Sequence, residues 1–210
     1  MARPRASDHD DKRLAILERS AELFAAHGYD RVSVSMLARA CSISKALLYH
    51  YFSDKSEVLF EIIRSHLEHL LAVTAAPGEV EEFEPRERLQ WLATALLEAY
   101  RRADSKHHVQ INQLHLLPRP QQKLLKDLER TLVDRFATAI TPCVPPGARA
   151  HGVLKPLTMS LFGMLNWNYL WFREDGPMPR SEYAKLAVTL LVDGAARLHA
   201  RPDLSVGAVS

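Results

Sequence analysis

At 210 residues the chain holds one or two compact units sharing a core, and its 47% apolar residues are enough to build that core. A formal net charge of +2 excludes a broad electrostatic field as the route to nucleic acid, so any such partner must be held by a local patch. Cys41 and Cys143, the two cysteines, exclude a disulfide scaffold and a clustered thiolate metal site; with a polar stretch from Met1 to Asp11, they fit a reducing cytoplasm.

Apolar residues return every three or four positions through most of the sequence, and alternating β-branched runs are scarce, which predicts an all-α fold of about nine helices. Leu14, Leu17, Ala21 and Phe24 line one face of a first helix from Lys12 to His27, which Gly28 ends by accepting left-handed backbone angles. Short helices over Val34 to Cys41 and Lys45 to Phe52 follow, each preceded by a serine suited to N-capping, Ser33 and Ser44. A fourth starts at Asp54, where Asp54 and Glu57 stand at capping-box spacing, and runs toward Ala76 before Pro77 and Gly78 stop it. The acidic stretch from Val80 to Pro85 reads as a turn. Beyond it the pattern predicts helices over Arg86 to Arg102, Ser105 to Leu116, Gln121 to Thr141, Ala150 to Arg173 and Ser181 to His199, punctuated by prolines. The uncharged run Pro156 to Phe172 carries Ser160, Asn166 and Asn168 and falls short of a span of roughly 20 apolar residues, so a buried helix or an oligomer contact is expected there.

Ala38 stands four residues before Ser42, and Ile43, Leu48 and Tyr51 follow Ser42 at one, six and nine residues. That is helix-turn-helix spacing: Ala38 is small where two helices cross, Leu37, Ile43 and Leu48 fill the wedge, and the second helix is left to present an outer face to a DNA major groove. Ser42 occupies a turn position where glycine is usual, at a cost of roughly 1 kcal/mol for left-handed backbone. From Arg31 to Lys55 the charges are Arg31, Arg39, Lys45 and Lys55 against Asp54 alone, a local surplus of three. Tyr49 also has a reading as a core aromatic and His50 as a solvated surface histidine.

The stretch ISKALLYHYF, Ile43 to Phe52, followed by Ser53, Asp54 and Lys55, closely resembles the recognition-helix signature of the tetracycline-repressor family of transcriptional regulators; AELFAAHGYDRVSVSMLARA upstream extends the likeness over about the first quarter of the chain. The resemblance implies a DNA-binding domain over 1–53, a connecting helix over 54–78 and a ligand-binding, dimerising domain over 79–210. It also implies that Ser33, Ser35, Ser44, Lys45, Tyr49, His50 and Lys55 touch double-stranded operator DNA, the lysines by neutralising phosphates. Ala46 and Leu47 depart from the family's frequent glycine and threonine, so Leu47 offers at most contact with a thymine methyl.

LFGMLNWNYLWFREDGPMP, Leu161 to Pro179, is similar to a segment of the subgroup that senses acyl-coenzyme A thioesters of fatty or aromatic acids, such as phenylacetyl-coenzyme A. That likeness makes an acyl-coenzyme A the expected inducer, with another hydrophobic molecule, a drug or a free fatty acid, as the alternative. An apolar tunnel for the acyl chain is available from Trp91, Tyr100, Leu116, Phe162, Trp167, Tyr169 and Trp171, alongside Asn166, although aromatic residues at helical spacing also serve as ordinary core. In the wider family polar residues at the centre of the body contact the inducer, which points to His107, Gln110 and Asn112. Arg101, Arg102, Lys106, Lys123, Lys126 and Arg130 are available for the phosphates, or form a solvated face. His66 and His69, and His107, His108 and His115, lack convergent carboxylates or thiolates, so no metal and no cofactor is expected. A homodimer is expected through the last two helices, where Leu165, Leu170, Leu186, Leu190 and Leu191 can build a four-helix interface. An enzyme acting on acyl-coenzyme A is the different-class alternative, and it lacks a G-x-S-x-G elbow, a glycine-rich phosphate loop and an H-E-x-x-H helix.

Overall fold

The computed structural model describes residues 4–198 apart from 102 and 151; Arg102 and the predicted helix end at His199 lie outside the described residues. The chain is all-α. Its helices are α1 Pro4–His27, α2 Val34–Ala40, α3 Lys45–Tyr51, α4 Lys55–Val73, α5 Gly78–Glu81, α6 Pro85–Tyr100, α7 Asp104–Gln113, α8 Arg119–Ile140, α9 Pro146–Ala150, α10 Leu154–Asn166, α11 Asn168–Trp171 and α12 Arg180–Leu198, with 3-10 turns at Leu114–Leu116 and Thr141–Cys143. No strand occurs among the described residues.

The helix count exceeds the periodicity's because two stretches divide differently. The acidic stretch expected as a turn carries α5, and Pro85 opens α6 at a position that needs no N–H donor. The single helix expected over Ala150 to Arg173 divides into α10 and α11, and the separate α9 ends at Ala150, where that helix was expected to begin. Gly152, at φ +69°, separates α9 from α10. At Trp167 the N–H bond to the Gly163 carbonyl has stretched to 3.5 Å. Beyond that break the Asn168 carboxamide accepts a hydrogen bond of 2.9 Å from Arg180, a partner that helical periodicity does not reveal.

The chain forms two compact units that interleave along the sequence: Met1–His69 with Arg102–Glu129, and Leu70–Arg101 with Arg130–Ser210. In the first, Leu17, Phe24, Leu37, Leu48, Phe52, Leu59, Ile62 and Ile63 are buried, and Gln113 of α7 donates to the Phe24 carbonyl at 2.7 Å where α1 ends. The same carbonyl accepts from the Gly28 N–H at 2.9 Å, so two donors converge on it as α1 closes. In the second, α6 and α12 pack along their lengths through Leu89, Leu92, Leu96, Ala184, Ala187 and Val188, and α10 adds Leu161 and Phe162. Arg180 is buried in this unit. Its guanidinium donates to Glu174, Asn168 and, at 3.4 Å, the Leu97 carbonyl, and lies over the Phe172 ring, so a charge excluded from water has several partners.

Candidate functional site

Local sequence sets the helix-turn-helix. Ser33 caps α2, its hydroxyl oxygen accepting from the Met36 N–H at 3.2 Å, and Ser44 caps α3 by accepting from the Leu47 N–H at 3.0 Å. Between them Ser42 adopts φ 54°, the one non-glycine with positive φ among the described residues, while the Ile43 N–H bonds the Ala38 carbonyl at 2.9 Å. The turn therefore takes the left-handed geometry anticipated for it, with serine where glycine is easiest. Within α3, Leu48 is 2% exposed and Tyr49 is 52% exposed, so the helix anchors through one side and leaves the other free. The core reading of Tyr49 does not hold; Phe52 at α3's end takes the inward aromatic position.

Ser33, Ser35, Ser44, Lys45, Tyr49 and His50 are all exposed, and Lys45 and Tyr49, four apart, share a face of α3. Lys55 is placed differently. Its ammonium donates to the Tyr29 carbonyl at 2.9 Å and the Val32 carbonyl at 3.0 Å and sits 4.0 Å from the Tyr29 ring centroid, binding the loop after α1 to the start of α4. The Asp54 carboxylate accepts from the Glu57 N–H at 2.7 Å, and Glu57 accepts from the Ser53 N–H, so the capping pair expected from spacing closes through Ser53.

Two features of this unit carried no signal in the sequence. Glu61, buried on α4, pairs with Arg13 of α1 and with Arg64, and Arg13 lies over the Phe52 ring at 5.2 Å. Burial alone raises a carboxyl pKa; here the hydrogen bonds from Arg64 and Arg13 outweigh it and hold Glu61 below its ordinary range. A groove of ≈ 420 Å³ is lined by Ile16, Ile43, Leu47 and Tyr51 together with Lys12 and Arg19, two exposed cations on α1 beside the recognition helix.

The nine predicted ligand residues divide between the two compact units. His107 and Gln110 belong to the first compact unit and the other seven to the second. His107 is buried against His66, their rings 5.8 Å apart, and Gln110 donates to Glu129 at 2.8 Å. In the second unit the Tyr100 hydroxyl donates to Asn166 at 2.9 Å, Phe162 packs on Phe136 at 4.9 Å, and Trp167 stacks on Tyr169 at 6.4 Å. Trp91 is half-buried, while Trp167 and Trp171 are exposed, Trp171 meeting Tyr183 edge-on at 4.9 Å. Asn112 holds the His108 carbonyl of its own helix, and Leu116 is exposed. Of the cations, Lys106 pairs with Glu18, Arg101 with Glu98 and Glu174, and Lys126 with Gln122. Of the five leucines proposed for the dimer face, Leu165 and Leu191 are buried within the chain, whereas Leu170, Leu186 and Leu190 are exposed.

A second cleft, of ≈ 360 Å³, lies in the second unit between the end of α4, the start of α6 and α8, and Arg88 and Arg135 both line it. Each arginine reads locally as the solvated face of an amphipathic helix, so only folding reveals that they meet. Among the described residues no group of three or more His, Cys, Asp or Glu side chains could hold a metal ion, and no helix is long and apolar enough to cross a membrane.

Comparison with known proteins bears on both units. Residues 16–62 match the family model described as bacterial regulatory proteins, tetR family, and residues 82–195 match that of the tetracyclin repressor-like C-terminal domain. The chain is 30% identical over 89 residues to the HTH-type transcriptional repressor Rv1474c of Mycobacterium tuberculosis, covering 40% of this chain and 48% of that protein, so it spans about half the length of that relative. It is similar in fold to the crystal structure of a TetR-family transcriptional regulator from Bordetella parapertussis, with TM-score 0.79 and 34% identity over 89% of this chain and 96% of that one. It is also similar to AibR, solved in complex with isovaleryl coenzyme A and operator DNA, with TM-score 0.67 and 27% identity over 86% of this chain and 98% of that one. The different-class alternative falls, because these are regulators and not enzymes. With more than half of its length matched by the C-terminal model and its helix-turn-helix by the N-terminal one, the chain belongs to the tetracycline-repressor family of bacterial transcriptional regulators.

Proposed function

We propose that this chain is a homodimeric repressor that grips operator DNA through Ser33, Ser35, Ser44, Lys45, Tyr49 and His50 and lets go when an acyl-coenzyme A thioester binds its C-terminal part. The observation that carries the DNA-binding half is the division of α3, with Leu48 anchored in the core and Lys45 and Tyr49 standing outward, the arrangement a recognition helix needs to enter a major groove. Lys12 and Arg19 on α1 add positive charge on the same side of the unit. Lys55 contributes by bracing the loop after α1. Residues 1–53 then form the DNA-binding part, 54–78 the connecting helix, and 79–210 the sensing and dimerising part. The exposed Leu186 and Leu190 of α12 supply an apolar stripe for a second copy.

The inducer class is supported by the likeness to AibR, whose structure holds isovaleryl coenzyme A. A ligand that prefers the DNA-released state a hundredfold shifts the equilibrium by about 2.7 kcal/mol, enough to vacate an operator. The test is a fluorescence-anisotropy titration of the protein on DNA from upstream of its own gene. A salt-sensitive specific complex is expected, and Lys45→Ala should lower its salt slope by roughly one. Isovaleryl- or phenylacetyl-coenzyme A should dissociate it. Absence of a specific complex overturns the reading.

A further inference from the structure

In the cleft of the second unit, two guanidinium groups face a site that carries a single carboxylate. Arg88 of α6 is half-buried, and its guanidinium makes no hydrogen bond or ion pair among the described residues. Arg135 of α8 uses one nitrogen twice, donating at 2.6 Å to the Leu71 carbonyl and at 2.6 Å to the Thr74 hydroxyl, both at the end of α4. The remaining N–H groups of its fork have no partner among the described residues. Thr131 and Thr138 also line the cleft, the Thr138 hydroxyl donating to the Asp134 carbonyl of its own helix at 2.9 Å, and Asp134 is the one acidic side chain of the lining. Leu92 gives the cleft a buried apolar floor.

Chemistry narrows the occupant. A free, half-buried guanidinium has lost part of its hydration without gaining an anion, which favours an oxyanion ligand. A carboxylate has two oxygens, and one arginine fork satisfies both. Two forks offer more donors than that, and they suit the larger acceptor set of a phosphate. The cleft's ≈ 360 Å³ lies within the range of small-molecule sites, and its exposed Thr131, Asp134 and Thr138 leave room for the rest of a long ligand to continue outward.

We propose that Arg88 and Arg135 form a phosphate clamp that holds a phosphate group of the inducer, so that a bound ligand shares Arg135 with the last turn of α4. This rests on the acyl-coenzyme A reading above, and it assigns the polar end of that ligand to residues outside the aromatic set expected from the sequence. Asp134 opposes the anion and accepts an N–H donor, which suits a ligand carrying both a phosphate and an amide or amine.

The experiment is calorimetric titration of full-length protein with isovaleryl-coenzyme A, coenzyme A and isovalerate, for wild type and the Arg88→Gln, Arg88→Lys and Asp134→Asn variants, with melting and operator binding followed in parallel. Arg88→Gln should melt like wild type and bind both coenzyme A species at least about tenfold more weakly, since a charge-assisted bond is lost. Arg88→Lys should fall between, and Asp134→Asn should bind severalfold more tightly, which a merely structural role for the cleft would not produce. Equal affinity for wild type and Arg88→Gln overturns the clamp while leaving the sensor reading intact if operator release persists. Isovalerate binding that depends on Arg88, with coenzyme A indifferent to it, overturns the phosphate assignment. If wild type binds neither coenzyme A species, the clamp and the thioester reading fall together, and operator binding shows whether the regulator reading survives them.

Discussion

Replacing Lys55 by methionine separates two roles that the sequence does not tell apart. As a phosphate contact, Lys55 would add salt-dependent affinity and little stability. As the structure has it, the ammonium is bonded to the Tyr29 and Val32 carbonyls at 2.9 and 3.0 Å and lies over the Tyr29 ring, half-buried. Hydrogen bonds to a charged donor contribute about 1.5–3 kcal/mol each and a partly exposed cation–π contact about 0.5–1 kcal/mol; partial solvation places the pair near the low end. Methionine keeps most of the aliphatic stem and leaves two carbonyls to water, so the loss should be about 3–4 kcal/mol, or roughly 6–16 °C in melting temperature for a chain of this size. The assay is thermal and urea denaturation of Lys55→Met beside operator titrations over a range of salt. A variant that melts like wild type but binds DNA with a salt slope lower by about one would refute the brace and restore Lys55 as a phosphate contact.

Ser42→Gly should stabilise the protein by about 0.5–1 kcal/mol, because φ 54° strains any side chain and the exposed hydroxyl makes no bond that would be lost; an unchanged urea midpoint would contradict this. Burial, reinforced by His107, Lys106 and His69, pushes the His66 pKa down to about 3, so the unfolded chain takes up the proton first as pH falls below about 6.5. The stabilisation is present above that value and is lost toward pH 3: wild type should lose roughly 2 kcal/mol between pH 7 and 5, and His66→Gln should lose less over the same interval by denaturant titration. Leu190→Glu, placing a charge at a site 59% exposed on α12, should shift light scattering toward a monomer and abolish operator binding; an intact dimer would move the interface elsewhere.

The sequence by itself determined what depends on neighbours within a few residues. Ser33 and Ser44 cap helices because a hydroxyl oxygen reaches an amide three residues on, Gly28 at φ +79° ends α1, and the helix-turn-helix spacing places Leu48 in the wedge between α2 and α3. These are short-range geometries, and the recognition signature is made of them. Only the tertiary structure decided which distant groups share a partner. Lys55 meets carbonyls of Tyr29 and Val32, Arg180 meets Asn168 and Leu97, and helix α10 ends at Trp167 ahead of that second contact. Arg88 and Arg135 converge in the same way, on a cleft that neither helix periodicity announces. Charge and burial patterns report whether a residue turns toward water or toward the core, whereas identifying its partner requires knowing which segments pack together, and residues far apart along the chain are brought face to face only by folding.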